Sequence, residues 1–291
     1  MTATDLRSGK THRDENFPVA SWLVAKHHRA PILAFYDFVR TADDIADAAD
    51  LAPDDKHHWL DRLEAGLDGA NDEPIAMRLR TALAARGLTD RHARDLLDAF
   101  RHDVDTPRTA SFDALMAYCA LSAMPVGRFV LDVHGEDRRL YPASDAICAA
   151  LQINNHMQDC GKDWRALRRC YLPDDLMAQF GAQVEDLDGT RLTPGLRRTI
   201  DALADRTAML LDEGATLARG VRDARLAAEI AVIVGAAHRI LVLLRTGDPL
   251  RGGVHLTKPA AAAIAFGAVA RVFGQRLSGR APGTRFEAEA K

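Results

Sequence analysis

The chain has 291 residues, of which 47% are hydrophobic and 27% charged but only 6% aromatic; this is the balance of a globular protein with a sizeable core, and it excludes a disordered or fibrous chain. A net charge of −3 and a pI near 6.4 supply no basic field for a nucleic-acid backbone, so nucleic acid is not expected as a partner. Richness in Ala, Leu, Arg and Asp favours helix, and few strands or none are expected.

The segment before about residue 15 is polar, with no apolar run that could act as a signal peptide. "FPVASWLVAKHHRAPILAFYDFVRTADDIADAAD" predicts two helical stretches divided near Pro31. Three amphipathic helices follow, in "DDKHHWLDRLEAGLDG", in "EPIAMRLRTALAARGL" and in "TDRHARDLLDAFRHDVD" with Thr89 as N-cap. "SFDALMAYCALSAMPVGRFVLDVHG" reads as a longer helix kinked at Pro125 and Gly127. After it come the helix of "PASDAICAALQINNHMQDCGKDWRAL", a loop around "CYLPDDLMAQFGAQVEDLDGTRLTP", long helices near 192–219 and 222–246, and an apolar helix over 258–274.

His238, Arg239 and Arg271 interrupt the two most apolar segments before a membrane-spanning length of about 18 to 20 residues. They read as buried core helices, with peripheral membrane contact left open. Cys119, Cys148, Cys160 and Cys170 form no CxxC pair and read as buried small apolar residues in a reducing, cytoplasmic compartment. No composition break marks a boundary, so one all-α domain over 15–275 is expected, with 1–14 and 276–291 as loose termini.

"FVRTADDIAD" (38–47) places Asp43, Asp44 and Asp47 beside a buried stripe, and helical spacing adds Tyr36 and Arg40 to the same polar face. "INNHMQDCGKDW" (153–164) repeats the D-x-x-x-D spacing at Asp159 and Asp163, with Asn155 one turn earlier and Gln158 adjacent. Facing each other, two such helices would hold four carboxylates around a cleft. These would repel unless cations neutralised them, and hard divalent cations that also bind phosphate suit oxygen ligands of this kind. Arg40, Lys162 and Arg168 or Arg169 could balance a diphosphate. Arg40 could equally be an intrahelical partner of Asp43 or Asp44, and Ser122 and Gly127 could serve close packing or ligand room. His156 and the His27-His28 and His57-His58 pairs lack a ligand spacing and read as non-catalytic. The absence of G-x-G-x-x-G and Walker patterns argues against a nicotinamide cofactor or nucleoside triphosphate.

The order of these pieces resembles the squalene/phytoene synthase family. "YDFVRTADDIAD" and "NHMQDCGKDW" are similar to its two aspartate-rich motifs, and "YCALSAMPVG" to its kinked middle helix. "ENFPVAS" (15–21), "SAMPVG" (122–127), Gln158 and "YLP" (171–173) resemble the bacterial branch that converts presqualene diphosphate and water to hydroxysqualene. The chain departs from the pattern at "DAAD", at Ala120 and at Arg169-Cys170. The resemblance implies a prenyl-synthase-type helical fold with a central cavity, and magnesium held by Asp43, Asp47, Asp159 and Asp163, with Asp44 subsidiary. It implies that Tyr36, Arg40, Asn155 and Gln158 handle the diphosphate and its ionisation, that Tyr118 lines a carbocation pocket, and that Ser122, Gly127, Lys162 and Tyr171 contact substrate. It further implies other squalene-pathway enzymes as partners and transient contact with the inner membrane surface. A head-to-head prenyl synthase and a non-catalytic helical relative are the alternatives.

Overall fold

A computed structural model describes residues 2–3, 24–252 and 254–278. Twelve α-helices and no β-strand occur among the described residues: α1 (Lys26–Asp47), α2 (Pro53–Asp68), α3 (Pro74–Ala84), α4 (Arg91–Asp105), α5 (Phe112–Ser122), α6 (Met124–Val133), α7 (Tyr141–Leu167), α8 (Asp174–Gln179), α9 (Pro194–Gly214), α10 (Leu217–Gly220), α11 (Ala224–Thr246) and α12 (Lys258–Leu277). The fold is the all-α architecture expected. "ENFPVAS" lies outside the described residues.

The helix ends follow local chemistry. Pro53, Pro74 and Pro194 open α2, α3 and α9, where a missing N–H leaves no hydrogen bond unmade. Ser111, Thr193, Asp223 and Thr257 cap α5, α9, α11 and α12 by accepting from backbone N–H groups of the first turn. Gly69 closes α2 at φ 80°, a conformation that favours glycine.

Three apolar clusters organise the helices. Phe38, Ile45, Leu60, Leu79 and Leu97 join α1 to α4. Ile153, Met157, Ile200, Leu203 and Leu241 join α7, α9 and α11, and Leu131, Ile147, Leu226 and Ile230 tie α6, α7 and α11 together. The helix α7 is therefore the axis shared by the second and third clusters.

Several expectations are corrected. Pro31 does not divide a helix: α1 runs through it, and the His27 carbonyl that Pro31 cannot bond accepts from Arg86 Nη1 at 3.0 Å instead. The helix α4 starts at Arg91, one residue later than the Thr89 cap implies, although Thr89 Oγ1 still accepts from Arg91 N. The 192–219 helix ends at Gly214 and is followed by the short α10. The loop after α7 contains α8 and a 3-10 turn at Val184–Asp188, and α12 continues to Leu277. The expected kink is present, with Ala123 at φ −127° between α5 and α6.

The reading that no apolar segment reaches membrane-spanning length also fails. Phe112–Val133, Ala224–Thr246 and Lys258–Leu277 are all long and apolar enough by length and composition. The first two direct that apolarity inward, through Leu115 and Phe129 and through Leu241 and Leu244. The helix α12 does not: Ala268 is its one buried residue. Cys119, Cys160 and Cys170 are buried as expected, Cys148 is only half-buried, and all four thiols are free.

Candidate active site

The two aspartate-bearing helices meet electrostatically. Asp43 is pushed up to about 7 by burial and then by Asp47, against the opposing pull of Arg40. Its side chain keeps 33% of its surface open, so it lines a cleft and does not belong to the core. Asp163 is likewise pushed up to about 7, by burial and then by Asp159, and Asp47 of the other helix acts on it too. Asp47 thus sits close enough to both motifs to repel each.

Arg40 pairs with Asp43 at 2.9 Å and Asp44 at 2.8 Å. The intrahelical partnership weighed from the sequence is therefore present, and the buried Asp44 is engaged by Arg40. Lys162 approaches Asp159 at 3.7 Å, with two-thirds of its side chain exposed. Asn155 Oδ1 and Ser122 Oγ are buried without a hydrogen-bond partner. The Gln158 side chain lies away from this face, donating its amide to the Val254 carbonyl, while its Oε1 is buried without a partner.

A second layer joins Arg169, Tyr118 and Tyr171, which the sequence reading named, to Asp103, which it missed. Arg168 ends α7 in a left-handed conformation, φ 54°, and the chain then turns back so that Cys170 N donates to the Pro107 carbonyl at 2.8 Å. That turn carries Arg169 to Asp47, at 2.8 Å, and Tyr171 to Asp103. Both Tyr171 and Tyr118 donate to Asp103, at 2.8 and 2.7 Å, and Arg169 lies 4.0 Å from the same carboxylate. Burial raises the Asp103 carboxyl while Arg169 and the two hydroxyls counter it. His156 stacks on Tyr171 with ring centroids 3.7 Å apart and is held neutral, its pKa lowered to about 3 by burial and by Arg169. The available signal was on α4: Asp103 continues the stripe of Leu96 and Phe100 and is buried with them. An acid in an apolar stripe needs a partner.

An apolar cavity of about 340 Å³ runs beside the motifs, walled by Ile32, Tyr36 and Val39 of α1, Gly127 of α6, and Cys148 and Leu151 of α7. Tyr36 and Gly127 are thus where a ligand chain would touch them. Tyr118 is not among its lining residues, and its hydroxyl is directed to Asp103.

The donor set fits divalent cations. It offers hard carboxylate oxygens, two of them with raised proton affinity that a cation would relieve, and an unpartnered Asn155 oxygen. Among the described residues the one trio of His, Cys, Asp or Glu groups with ligand atoms within 4.8 Å of one another is His28, His134 and Asp223. No three of the four aspartates approach one another that closely among the described residues. His28, which lacks a ligand spacing in the sequence, is brought into this trio by tertiary contact. Arg86 lies 3.1 Å from His28 Nδ1, and burial with His134 lowers the His28 pKa to about 4.

The squalene/phytoene synthase profile matches residues 10–260. The chain belongs to the squalene/phytoene synthase family. Among members of that family, it is 54% identical to a hydroxysqualene synthase of Rhodopseudomonas palustris over 97% of each chain, and 49% identical to that of Sinorhizobium fredii over 97% of this chain and 96% of the relative. A squalene synthase from Alicyclobacillus acidocaldarius has the same fold at a TM-score of 0.66 and 30% identity, covering 97% of this chain and 94% of that one. A dehydrosqualene synthase at 19% identity supports the fold alone, with a TM-score of 0.76 over 90% and 93%.

Proposed function

We propose that this family member converts presqualene diphosphate and water to hydroxysqualene and diphosphate. The observation that carries the reading is 54% identity, across 97% of both chains, to a hydroxysqualene synthase. The described aspartate cleft and the cavity beside it support it.

Residues 15–275 would act as one catalytic domain. Asp43, Asp47, Asp159 and Asp163 would hold magnesium, which when bound supplies the positive charge that neutralises the departing diphosphate. Arg40, Lys162 and Arg169 would balance the remaining phosphate charge, with Arg40 kept aligned by its pair with Asp44. The substrate's carbon–oxygen bond breaks with its electron pair leaving on the diphosphate. The allylic cation formed by rearrangement then takes the oxygen of water, and the proton lost from that water passes to diphosphate or solvent. The walls formed by Ile32, Tyr36, Val39 and Leu151 would hold the hydrocarbon and limit attack by other water. Asn155 Oδ1, buried and unpartnered, would orient the one water that reacts. No nicotinamide cofactor is expected. The partners are the prenyl diphosphate and the enzymes that supply it and consume the product, at the cytoplasmic face of a membrane.

Incubation with magnesium and presqualene diphosphate in ¹⁸O-labelled water, without reductant, should give hydroxysqualene carrying the label by mass spectrometry. The solved squalene synthase relative at 30% identity favours a head-to-head prenyl synthase as second reading. Squalene formed only with reduced nicotinamide, or farnesyl diphosphate condensation as the sole activity, would establish that reading instead.

A further inference from the structure

The arginines of the aspartate cleft are already engaged, Arg40 with Asp43 and Asp44 and Arg169 with Asp47. Another group of cations is not. A cavity of about 430 Å³ lies between the end of α9, α10, α11 and α12; Arg219, His238, Arg271 and Arg276 line it, and no Asp or Glu does. It is separate from the apolar cavity beside the motifs. Ile230 and Ile233 of α11 wall that one, whereas Ala231, Val234, Gly235 and His238 wall this one, and helical spacing puts the two sets on different faces.

Arg276 is anchored by donating to the carbonyls of Arg222 and Val221, at 2.7 Å each, which leaves its other N–H donors for a ligand. Arg219 and Arg271 make no ion pair among the described residues, whereas Arg94 and Arg101 each pair with three carboxylates. In a chain of net charge −3, guanidinium groups that converge on one cavity without a counter-charge repel one another, and an anion relieves them. The walls narrow its identity. Arginine forks match phosphate oxygens in pairs, Ala218, Ala231, Val234 and Val272 give an apolar floor, and no Phe, Tyr or Trp lines the cavity to stack on a nucleobase. The volume is that of a small-molecule site.

We propose that this cleft is a second diphosphate site, with Arg219, Arg271 and Arg276 holding the diphosphate group and the apolar floor taking the first carbons of a prenyl chain esterified to it. A free diphosphate satisfies the arginines alone; the ester satisfies the floor as well. The choice of ligand rests on the proposed reaction, which consumes a prenyl diphosphate and releases diphosphate. The cleft differs from the aspartate site in needing no metal: the chain itself supplies the positive charge, while carboxylates without a cation repel the same ligand.

The test is isothermal titration of the full chain with farnesyl thiodiphosphate, an ester slow to ionise, and with inorganic diphosphate, first in EDTA and then in magnesium. In EDTA, wild type should bind the ester at one site, and R219Q/R271Q should bind it at least about tenfold more weakly with unchanged helical circular dichroism. In magnesium, wild type should show a further site that R219Q/R271Q keeps. Inorganic diphosphate bound as tightly as the ester or more so assigns the cleft to the released product, and an ester bound more tightly assigns it to the prenyl diphosphate; each upholds a diphosphate site. R271E, which reverses one exposed charge, replaces the double variant should that one fail to fold. Absence of binding in EDTA, or binding by R219Q/R271Q equal to wild type, overturns the proposal. So does binding in EDTA that Asp43→Asn changes and R219Q/R271Q does not, which would assign the ligand to the aspartate cleft. Because the titration reads no turnover, a chain that binds in EDTA but forms no hydroxysqualene keeps this site and loses the proposed reaction.

Discussion

Along α1 and α7 the chemistry changes in the same direction. The earlier turns of both helices, at Ile32, Tyr36, Val39, Cys148 and Leu151, wall the apolar cavity, while the later turns carry Asp43, Asp47, Asp159 and Asp163. Helix C-termini favour cations and disfavour carboxylates through the peptide dipoles. Placing paired aspartates there makes the folded chain electrostatically incomplete at one end and hydrophobically incomplete at the other. A ligand with a charged head and a hydrocarbon tail satisfies both ends at once.

The charged end should be the more fragile for activity. Asp43→Asn or Asp163→Asn is expected to lower kcat by about 10²–10³-fold or more, the scale of removing one preorganised electrostatic contact, with helical circular dichroism unchanged. Asp103→Asn keeps a hydrogen-bond acceptor for one tyrosine but removes a carboxylate 4.0 Å from Arg169. A fall of about 10–10²-fold in kcat/KM is expected, since a charged buried hydrogen bond is worth about 1.5–3 kcal/mol; wild-type kinetics in this variant would confine Asp103 to folding.

At the apolar end the effect should appear first in stability. A Cβ on Gly127 would fall 2.4 Å from Ser144 Oγ and 2.5 Å from Cys148 Sγ, so Gly127→Ala should cost about 1–3 kcal/mol by overpacking, measured by denaturant unfolding. Any loss of turnover should then be found mainly in KM.

The raised aspartates and the lowered histidines also respond oppositely to pH. Asp43 and Asp163 are raised to about 7, so between about pH 4 and 7 the folded protein holds more protons than the unfolded one, and their contribution to stability falls as pH rises. His156 and His28 are lowered to about 3 and 4, so their contribution is intact above pH 6.5 and is lost as pH falls below it. Magnesium held by these carboxylates would compete with their protons, and the rise in Tm that it produces should therefore be larger at pH 8 than at pH 5.5 by scanning calorimetry. Equal rises at both pH values would remove the metal from these carboxylates. The smallest effect is expected for Lys162→Gln, whose exposed contact with Asp159 is 3.7 Å long: a stability change within about 0.5 kcal/mol and a KM raised a few-fold.

Helical period alone made the α1 stripe of Tyr36, Arg40, Asp43 and Asp47 legible, because i, i+4, i+7 and i+11 share a face in any helix. The D-x-x-x-D of α7, the all-helical class and the break near Pro125 followed from equally local rules. Pro31 was misread because the group that rescues its helix, Arg86, is 59 positions away from His27 in the chain. Asp103, and the pairing of Arg169 with Asp47, were hidden for a related reason: neither follows from a repeated spacing, and only the left-handed turn at Arg168 brings the segment after α7 against Asp47 and Asp103. Apolarity was read correctly at 258–274 but not its direction, since composition cannot tell a helix covered on all sides from one that leaves Phe266 and Leu277 in water. The sequence determined which faces the helices carry; tertiary structure decided which faces meet, because charge repulsion, burial and docking depend on distances that spacing along one helix does not set.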